Sequence, residues 1–456
     1  MAGFRIADKS FVAIFLILQF NIPVADAGPV SVARMGSDED TPVWYRLENN
    51  ELRVDFSSEN SFRIDSFHLL REEADLAGQS NGSPLFWEDR INGEEVESAS
   101  AVLLKGRDSD DNAGLEVFGA PNEAGASSIR LGKTVRLFAE GAQLEIGYTV
   151  TNRGSETLPV AYSVRLPWKV ADESKTVEYH LPGSGAIRKV GFEELAGSVQ
   201  LDGLEFTEPW FGATSAENDF SCLFASDQPL VSWTANKESD SEPSVEAIVW
   251  EGTLKPGETR EGTCWVAAVT GLGSPVSVSG HYAAGVAWKP GYRFDSYCLE
   301  SRVVGMPRGL KKFRLFSGLR RTSSSVALVP VYTRRSKLSP TAVYSIPMPG
   351  SFEARTCYLE QSIYSSSENV GYWNIAVTPP GGNAPQVATT PSGPMTSVSY
   401  FIPPQNPGEA AKSVDYHSSL PHSSQEPLQP EDPSADEIAL LEWPNWESPI
   451  KPASKD

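Results

Sequence analysis

Metal-binding and helix-forming patterns are what this sequence has least of. Its four cysteines and five histidines in 456 residues never form C-x-x-C pairs with histidines at zinc-finger distance. No metal site is expected on that ground, and no cofactor is expected either. A surplus of cations is also lacking. The net charge of -21 excludes a general nucleic-acid role, because gripping phosphates needs a cationic face. Long apolar runs are missing too. The one at residues 11–20 falls well short of the ~20 residues that cross a bilayer, so the mature chain is expected to hold no transmembrane segment. No stretch keeps apolar residues at a 3.6-residue period for three turns, which leaves strands as the regular structure.

What is there begins with an export signal. Arg5 and Lys9 precede the apolar run, and Ala25-Asp26-Ala27 places small residues where a signal peptidase reads. Residues 1–27 are therefore expected to be removed before Gly28, giving an exported protein that is periplasmic, cell-surface or extracellular. The residue directly after the cleavage point is Gly28, not cysteine, which argues against a lipid anchor. All four cysteines, Cys222, Cys264, Cys298 and Cys357, lie in the exported part. In an oxidising compartment an even number permits two disulfides. Cys222 with Cys264 and Cys298 with Cys357 are the favoured pairs, since each would stay within one domain. Four buried free thiols are the alternative.

The mature length allows two domains and a tail. From Trp44 to about Thr270 strands and turns alternate almost throughout. Glu48-Asn49-Asn50-Glu51 separates two short strands and reads as a hairpin turn, because asparagine tolerates positive φ. Residues 128–138 alternate Ile129, Leu131, Val135 and Leu137, with Gly132 disturbing the period. Residues 144–150 alternate apolar and polar, the two-residue period of a half-buried strand. Asn152-Arg153-Gly154 then joins this strand to another over 159–166. Pro256-Gly257 sets a tight turn before a last long strand, with proline fixing φ and glycine taking the positive φ that follows. A second strand-rich unit, residues 271–384, includes runs at 326–332, 342–346 and 372–377 and suits a small immunoglobulin-type sandwich. Residues 385–456 shift to Pro, Gly, Ser, Thr and Gln and are expected to be disordered. The acidic, aromatic run 438–446, with Trp443 and Trp446, is an island within that tail.

Three segments, LENNELRVDF (47–56), LEIGYTVTNRGSETLPVAYSVRLPW (144–168) and LKPGETREGTCWVAAV (254–269), together resemble the galactose mutarotase-like, aldose epimerase-type β-sandwich. The resemblance covers residues 41–270, about half of the chain. It implies an all-β supersandwich that handles sugars. It also implies a histidine donating a proton to the ring oxygen and a late glutamate acting as base. No histidine stands at the corresponding place, Arg165-Leu166-Pro167-Trp168. Glu238, Glu242 and Glu246 match no recognisable context for the base. Ring opening needs an acid and a base across one sugar, so the resemblance implies the architecture without the standard chemistry.

Five residues are candidates to meet a sugar. Trp168 and Trp210 can stack on a pyranose face, each beside a proline at an expected strand end where side chains reach the concave face. Arg165, His180 and Glu208 can bond hydroxyls. Against these stands plain packing, since large aromatics are core residues and His180 in EYHLPG reads as a loop histidine. In the second unit, residues 301–351 hold no acid but gather Arg302, Arg308, Lys311, Arg314, Arg320 and further cations. Such a face fits an anionic polysaccharide, the chain's own acidic segments or a protein partner, or it simply keeps edge strands soluble. The leading expectation is an exported, non-catalytic carbohydrate-binding protein with oligo- or polysaccharide as partner. An epimerase or polysaccharide lyase with a nonstandard site, and a surface interaction protein docking through the basic unit or the tail, are the alternatives.

Overall fold

Period-two alternation becomes strand along nearly the whole described chain. The computed structural model describes residues 30–35, 43–80, 83–105, 112–121, 128–171, 177–183, 186–191, 199–202, 208–215, 220–236, 244–290, 297–306, 313–320, 329–334, 341–347, 357–365 and 368–377. The expected export signal, the expected tail with Trp443 and Trp446, and much of the basic segment lie outside the described residues. Among the described residues the helical content is one 3-10 turn, Ser58–Asn60, and no helix is long and apolar enough to cross a membrane. The protein is all-β.

The chain opens on a five-stranded sheet of β1 (Ser31–Met35), β2 (Trp44–Glu48), β3 (Leu52–Ser57), β4 (Ile64–Leu69) and β5 (Ala74–Asp75), followed by a small pair, β6 (Gly78–Ser80) and β7 (Ser83–Leu85). Asn49 makes the β2–β3 turn with its side chain. Its Oδ1 accepts from the amides of Glu51 and Leu52, and its Nδ2 donates to the carbonyls of Phe138 and Gly141. The expected positive φ is not how this turn closes: among the described residues other than glycine, positive φ occurs at Ser61, Phe62, Glu73 and Asn92.

Next come β8 (Glu88–Ile91), β9 (Glu94–Lys105), β10 (Asn112–Pro121), β11 (Ile129–Phe138) and β12 (Gln143–Asn152). They are followed by β13 (Leu158–Leu166), β14 (Val177–Gly183), β15 (Ala186–Gly191), β16 (Val199–Asp202) and β17 (Trp210–Ser215). The unit ends with β18 (Phe220–Ser226), β19 (Ser232–Asn236), β20 (Ser244–Leu254) and β21 (Thr259–Thr270). All fourteen form one antiparallel sheet, ordered β15-β14-β17-β18-β21-β12-β11-β10-β9-β8-β13-β20-β19-β16.

This sheet doubles back at β8–β9, where only Arg90↔Glu95 and Ile91↔Glu94 pair around Asn92-Gly93. Asn92 and Gly93 sit at φ 54° and 83°, the positive values a two-residue hairpin turn demands. Strands five places apart in the order, β12 and β13, therefore face each other, with Tyr148 and Tyr162 ring centroids 4.5 Å apart. The two long strands joined at residues 152–154 do not pair. One pairs β11 and β21, the other β8 and β20, in opposite walls. Pro256-Gly257 likewise carries the chain from wall to wall, with Gly257 at φ 76° and its amide donating to the Asn152 carbonyl.

Between the walls lies an aromatic core. Trp168 stacks on Phe86 and Phe211, Phe211 on Phe224, and Phe224 on Trp87. Aromatic pairs of this kind add to the stabilisation from area burial alone.

The second unit holds β22 (Ser274–Val278), β23 (Tyr282–Pro290), β24 (Tyr297–Gly305), β25 (Arg314–Arg320), β26 (Val329–Arg334), β27 (Thr341–Pro347), β28 (Cys357–Ser365) and β29 (Glu368–Val377). They form two four-stranded sheets, β22-β23-β24-β27 and β26-β25-β28-β29. Its core includes Val276, Leu299, Leu359 and Trp373, and it is continuous with Trp210, Leu223, Ala225 and Ala267 of the first unit.

One cysteine pairing needs correction. Cys222 and Cys264 are free and buried. Their strands β18 and β21 pair, but with Cys222 opposite Ala268 and Cys264 opposite Ser226. Four residues of offset is about 13 Å along a strand, beyond the ~4–7 Å Cα separation of a disulfide. Cys298 and Cys357 lie on strands of different sheets, and their side chains lie outside the described residues.

Candidate functional site

Alternation along β8, β13 and β20 sends every second residue out of the sandwich. Inward go Asp89, Tyr162, Val164, Val245 and Ala247, all buried. Outward goes a charged checkerboard. In one row the pairing sets Glu88 of β8 beside Arg165 of β13, and Arg165 beside Glu246 of β20. In the adjacent row Arg90 stands beside Ser163. Strand spacing of ~4.8 Å and an i,i+2 step of ~6.7 Å bring these groups within reach of one another.

The side chains interlock. Arg90 Nε donates to Glu88 Oε1 at 2.6 Å, and Arg63, arriving ahead of β4, approaches Glu88 Oε2 at 3.4 Å and Glu95 Oε1 at 2.7 Å. Arg63 is further held by the Asn60 carbonyl at 3.0 Å. Ser163 Oγ donates to Glu246 Oε1 at 2.7 Å, while Glu246 Oε2 lies 3.7 Å from Arg90. Burial works against the charge on Arg90. The hydrogen bond to Glu88 and the charges of Glu88, Glu246 and Glu95 outweigh it and raise the guanidinium pKa. Glu88 is 2 % exposed, Arg63 16 %, Arg90 23 % and Glu246 29 %, so the network is a floor with its arginines and Glu246 still open to solvent. Both oxygens of Glu88 face guanidinium groups and both of Glu246 have a polar neighbour. The arrangement offers fixed donors and acceptors for hydroxyls rather than a proton donor opposite a base.

The five residues expected to meet a sugar are not brought together. Arg165 belongs to this outer face. Trp168 is 2 % exposed, stacked between Phe86 and Phe211 inside the sandwich. Its neighbouring proline does not carry it to an open edge, because the Pro167 carbonyl accepts from the Gly78 amide, Trp168 bridges Ala77, and the Lys169 amide donates to the Leu76 carbonyl. Trp210 is fully buried, so neither tryptophan presents a face to solvent.

His180 lies on β14, not in a loop, and is fully buried. Its Nε2 meets Thr214 Oγ1 at 2.8 Å and its Nδ1 has no partner. Burial, then the charge of Lys189, holds its pKa well below the ordinary histidine value, so the ring is neutral. Glu208 accepts from the Trp210 indole at 2.5 Å and from Ser277 Oγ at 3.3 Å. Desolvation, only partly opposed by those two bonds, pushes its carboxyl up to about 7. His180, Glu208 and Trp210 thus belong to the side of β14 and β17 against which β22 packs. Among the described residues no group of three or more His, Cys, Asp or Glu side chains is arranged to hold a metal ion.

Sequence reasoning missed Arg63, Glu88, Arg90 and Ser163. The signal was present in Glu88-Asp89-Arg90, an alternating charged strand leading into Asn92-Gly93, which places Glu88 and Arg90 on one face.

No family model matches the chain, and no curated protein matches it significantly. Among solved structures it is similar to a galactose mutarotase-like protein from Clostridium acetobutylicum (11 % identity, TM-score 0.40, 53 % of this chain and 99 % of that one). It is also similar to a putative aldose 1-epimerase from Escherichia coli K12 (11 % identity, TM-score 0.36, 53 % and 99 %). A third is a GH36 alpha-galactosidase from Geobacillus stearothermophilus (12 % identity, TM-score 0.38, 53 % and 41 %).

Proposed function

We propose that the protein is an exported carbohydrate-binding protein that holds sugar hydroxyls on the outer face of β8, β13 and β20 without breaking a bond. The observation that carries this reading is the Arg63–Glu88–Arg90–Glu246–Ser163 lattice with Arg165 between the two glutamates. It is a rigid, half-open array of charged donors and acceptors with the pitch of a β-sheet. Neighbouring pyranose hydroxyls bond most strongly to such charged groups, because a hydrogen bond to a charged partner is worth about 1.5–3 kcal/mol. Support for binding without turnover comes from the carboxylates. Those of the face are taken up by arginine and serine, and of the two acids raised to about 7, Glu208 is taken up in the contact with the second unit and Asp65 is bonded by Asn60. Export rests on the arrangement of residues 1–27.

The test is affinity electrophoresis of the mature protein through gels loaded with neutral or acidic polysaccharides. Retardation by one class is expected, and Arg90→Ala should weaken it about 10-fold or more, as loss of one charged hydrogen bond requires. Free migration of the wild type through every gel would sink the reading. Retardation left intact by both Arg90→Ala and Glu246→Ala would move the site elsewhere.

A further inference from the structure

The centre of the sandwich holds an ion pair that the outer face does not use. Asp89 points inward from β8 and Lys133 inward from β11, on opposite walls. Nζ and Oδ2 are 2.6 Å apart, with side chains 2 % and 5 % exposed. Along its own wall Lys133 sits between Val117 and Tyr148, and Asp89 sits beside Val164. Aromatic rings close the site: Trp87 stacks on Phe224, and Tyr162 lies against Tyr148. The second carboxylate oxygen, Oδ1, accepts two hydrogen bonds of 2.8 Å, from Tyr162 Oη and Trp87 Nε1.

Two opposite charges in so dry a place are costly to keep, because desolvation sets itself against their attraction. A neutral product relieves that cost. An amine and a carboxyl fixed in hydrogen-bond contact also react as if at a very high local concentration. We propose that Lys133 and Asp89 condense into an intramolecular amide that cross-links the two walls of the sandwich.

The step balances without a further reagent. One proton passes from Nζ to Oδ2, turning the ion pair into a neutral amine and acid. Nζ attacks Cγ, and the negative charge that develops on Oδ1 meets the donors already aimed at it, Tyr162 Oη and Trp87 Nε1, in the manner of an oxyanion hole. Oδ2 then leaves as water, taking a second proton from Nζ. Ammonium plus carboxylate gives amide plus water, and no group is oxidised or reduced. Burial first, and the nearby Asp89 charge second, raise the Tyr162 phenol well above its ordinary value, so it stays protonated as the donor this step needs. With Oδ1 occupied by two donors, Oδ2 is left as the departing atom. The bond would join residues 44 apart in sequence, closing the chain from β8 through β11 into a covalent loop.

Intact mass spectrometry of the denatured protein tests the proposal. After native incubation, the mass should lie about 18 Da, one water, below that of the sequence of the same purified chain. A tryptic digest should contain a branched species joining the peptide of Asp89 to that of Lys133, uncleaved after Lys133. Lys133→Arg keeps the positive charge but cannot form the amide, and should restore the full mass. A wild-type mass equal to the sequence mass, with free cleavage after Lys133, would overturn the proposal. So would a water loss that maps to any other pair of residues. The peptide map uses the wild-type protein, so its outcome holds whether or not the variant folds.

Discussion

Replacing Glu208 with glutamine should make the stability of the protein less sensitive to pH, by an amount the structure sets. Glu208 sits where the first unit meets β22, its carboxyl bonded to the Trp210 indole and to Ser277, which in turn meets Tyr282 Oη at 3.1 Å. Its carboxyl is raised from 4.5 to about 7. A carboxyl with a folded pKa above its unfolded value holds its proton better when folded. Its contribution is therefore fully present below about pH 4.5, is lost as pH rises, and is gone above about pH 7.

At about 1.4 kcal/mol per unit, the shift amounts to about 3 kcal/mol as an upper bound. It falls to about half of that once solvent reaching this part-buried side chain is allowed for. Glutamine keeps an acceptor oxygen for the indole and the serine but cannot ionise. Urea unfolding followed by tryptophan fluorescence at pH 5 and pH 8 should show Glu208→Gln gaining about 1–3 kcal/mol relative to wild type at the higher pH only. Because the two units can melt separately, the comparison should use the transition that changes with the substitution. An equal difference between variant and wild type at both pH values would refute the reasoning.

Asp65 should behave alike. Desolvation, against weaker help from Asn60, Arg63 and Ser57, raises it from 3.8 to about 7, so Asp65→Asn should raise the melting temperature at pH 8 relative to wild type and leave it little changed near pH 4. Tyr148→Phe should be neutral or stabilise by about 1 kcal/mol, because the buried Tyr148 hydroxyl has no partner and removing an unsatisfied polar group costs nothing; a chemical denaturation midpoint checks it. Gly262→Ala should destabilise by about 2 kcal/mol or more, since the new methyl would overlap the Tyr148 ring. Cys222 and Cys264 should both alkylate only after unfolding, without reductant, because burial raises both thiols well above their ordinary value; a mass showing them joined would contradict the register of β18 and β21.

Local chemistry was legible in the sequence wherever the two-residue period was clean. The run 144–150 is a strand with Leu144, Ile146, Tyr148 and Val150 buried, and its all-β meaning follows from alternation alone. Gly132, expected to disturb the two-residue period, sits within the paired strand, opposite Phe118 on one side and Thr149 on the other. What could not be read was which strands share a face. Ser163 and Glu246 meet across 83 residues, and nothing in either segment announces the other. The two tryptophans show the same limit. A proline beside Trp168 or Trp210 marks a strand end, but exposure at that end depends on what packs over it. For Trp210 the covering element is the second unit, and for Trp168 the aromatic stack of the opposite wall.

One strand joins the polar features of both faces. Glu88 and Asp89 are neighbours on β8, and the pleat sends the first to the outer lattice and the second to Lys133 in the core. A one-residue slip of β8 would exchange them, placing Glu88 against the aromatic core and Asp89 among the arginines. The misplacements are penalised: Lys133 would face a longer side chain in a filled core, Arg63 would face a shorter one, and Arg90, on the same strand, would be driven toward the core. The ion pair therefore fixes the register of the same strand that presents Glu88 and Arg90 outward. Positions on the outer face are only as sharp as that register. The contact of Asp89 with Lys133, formed as an ion pair during folding, is what sets the lattice of arginines and carboxylates in step with β13 and β20.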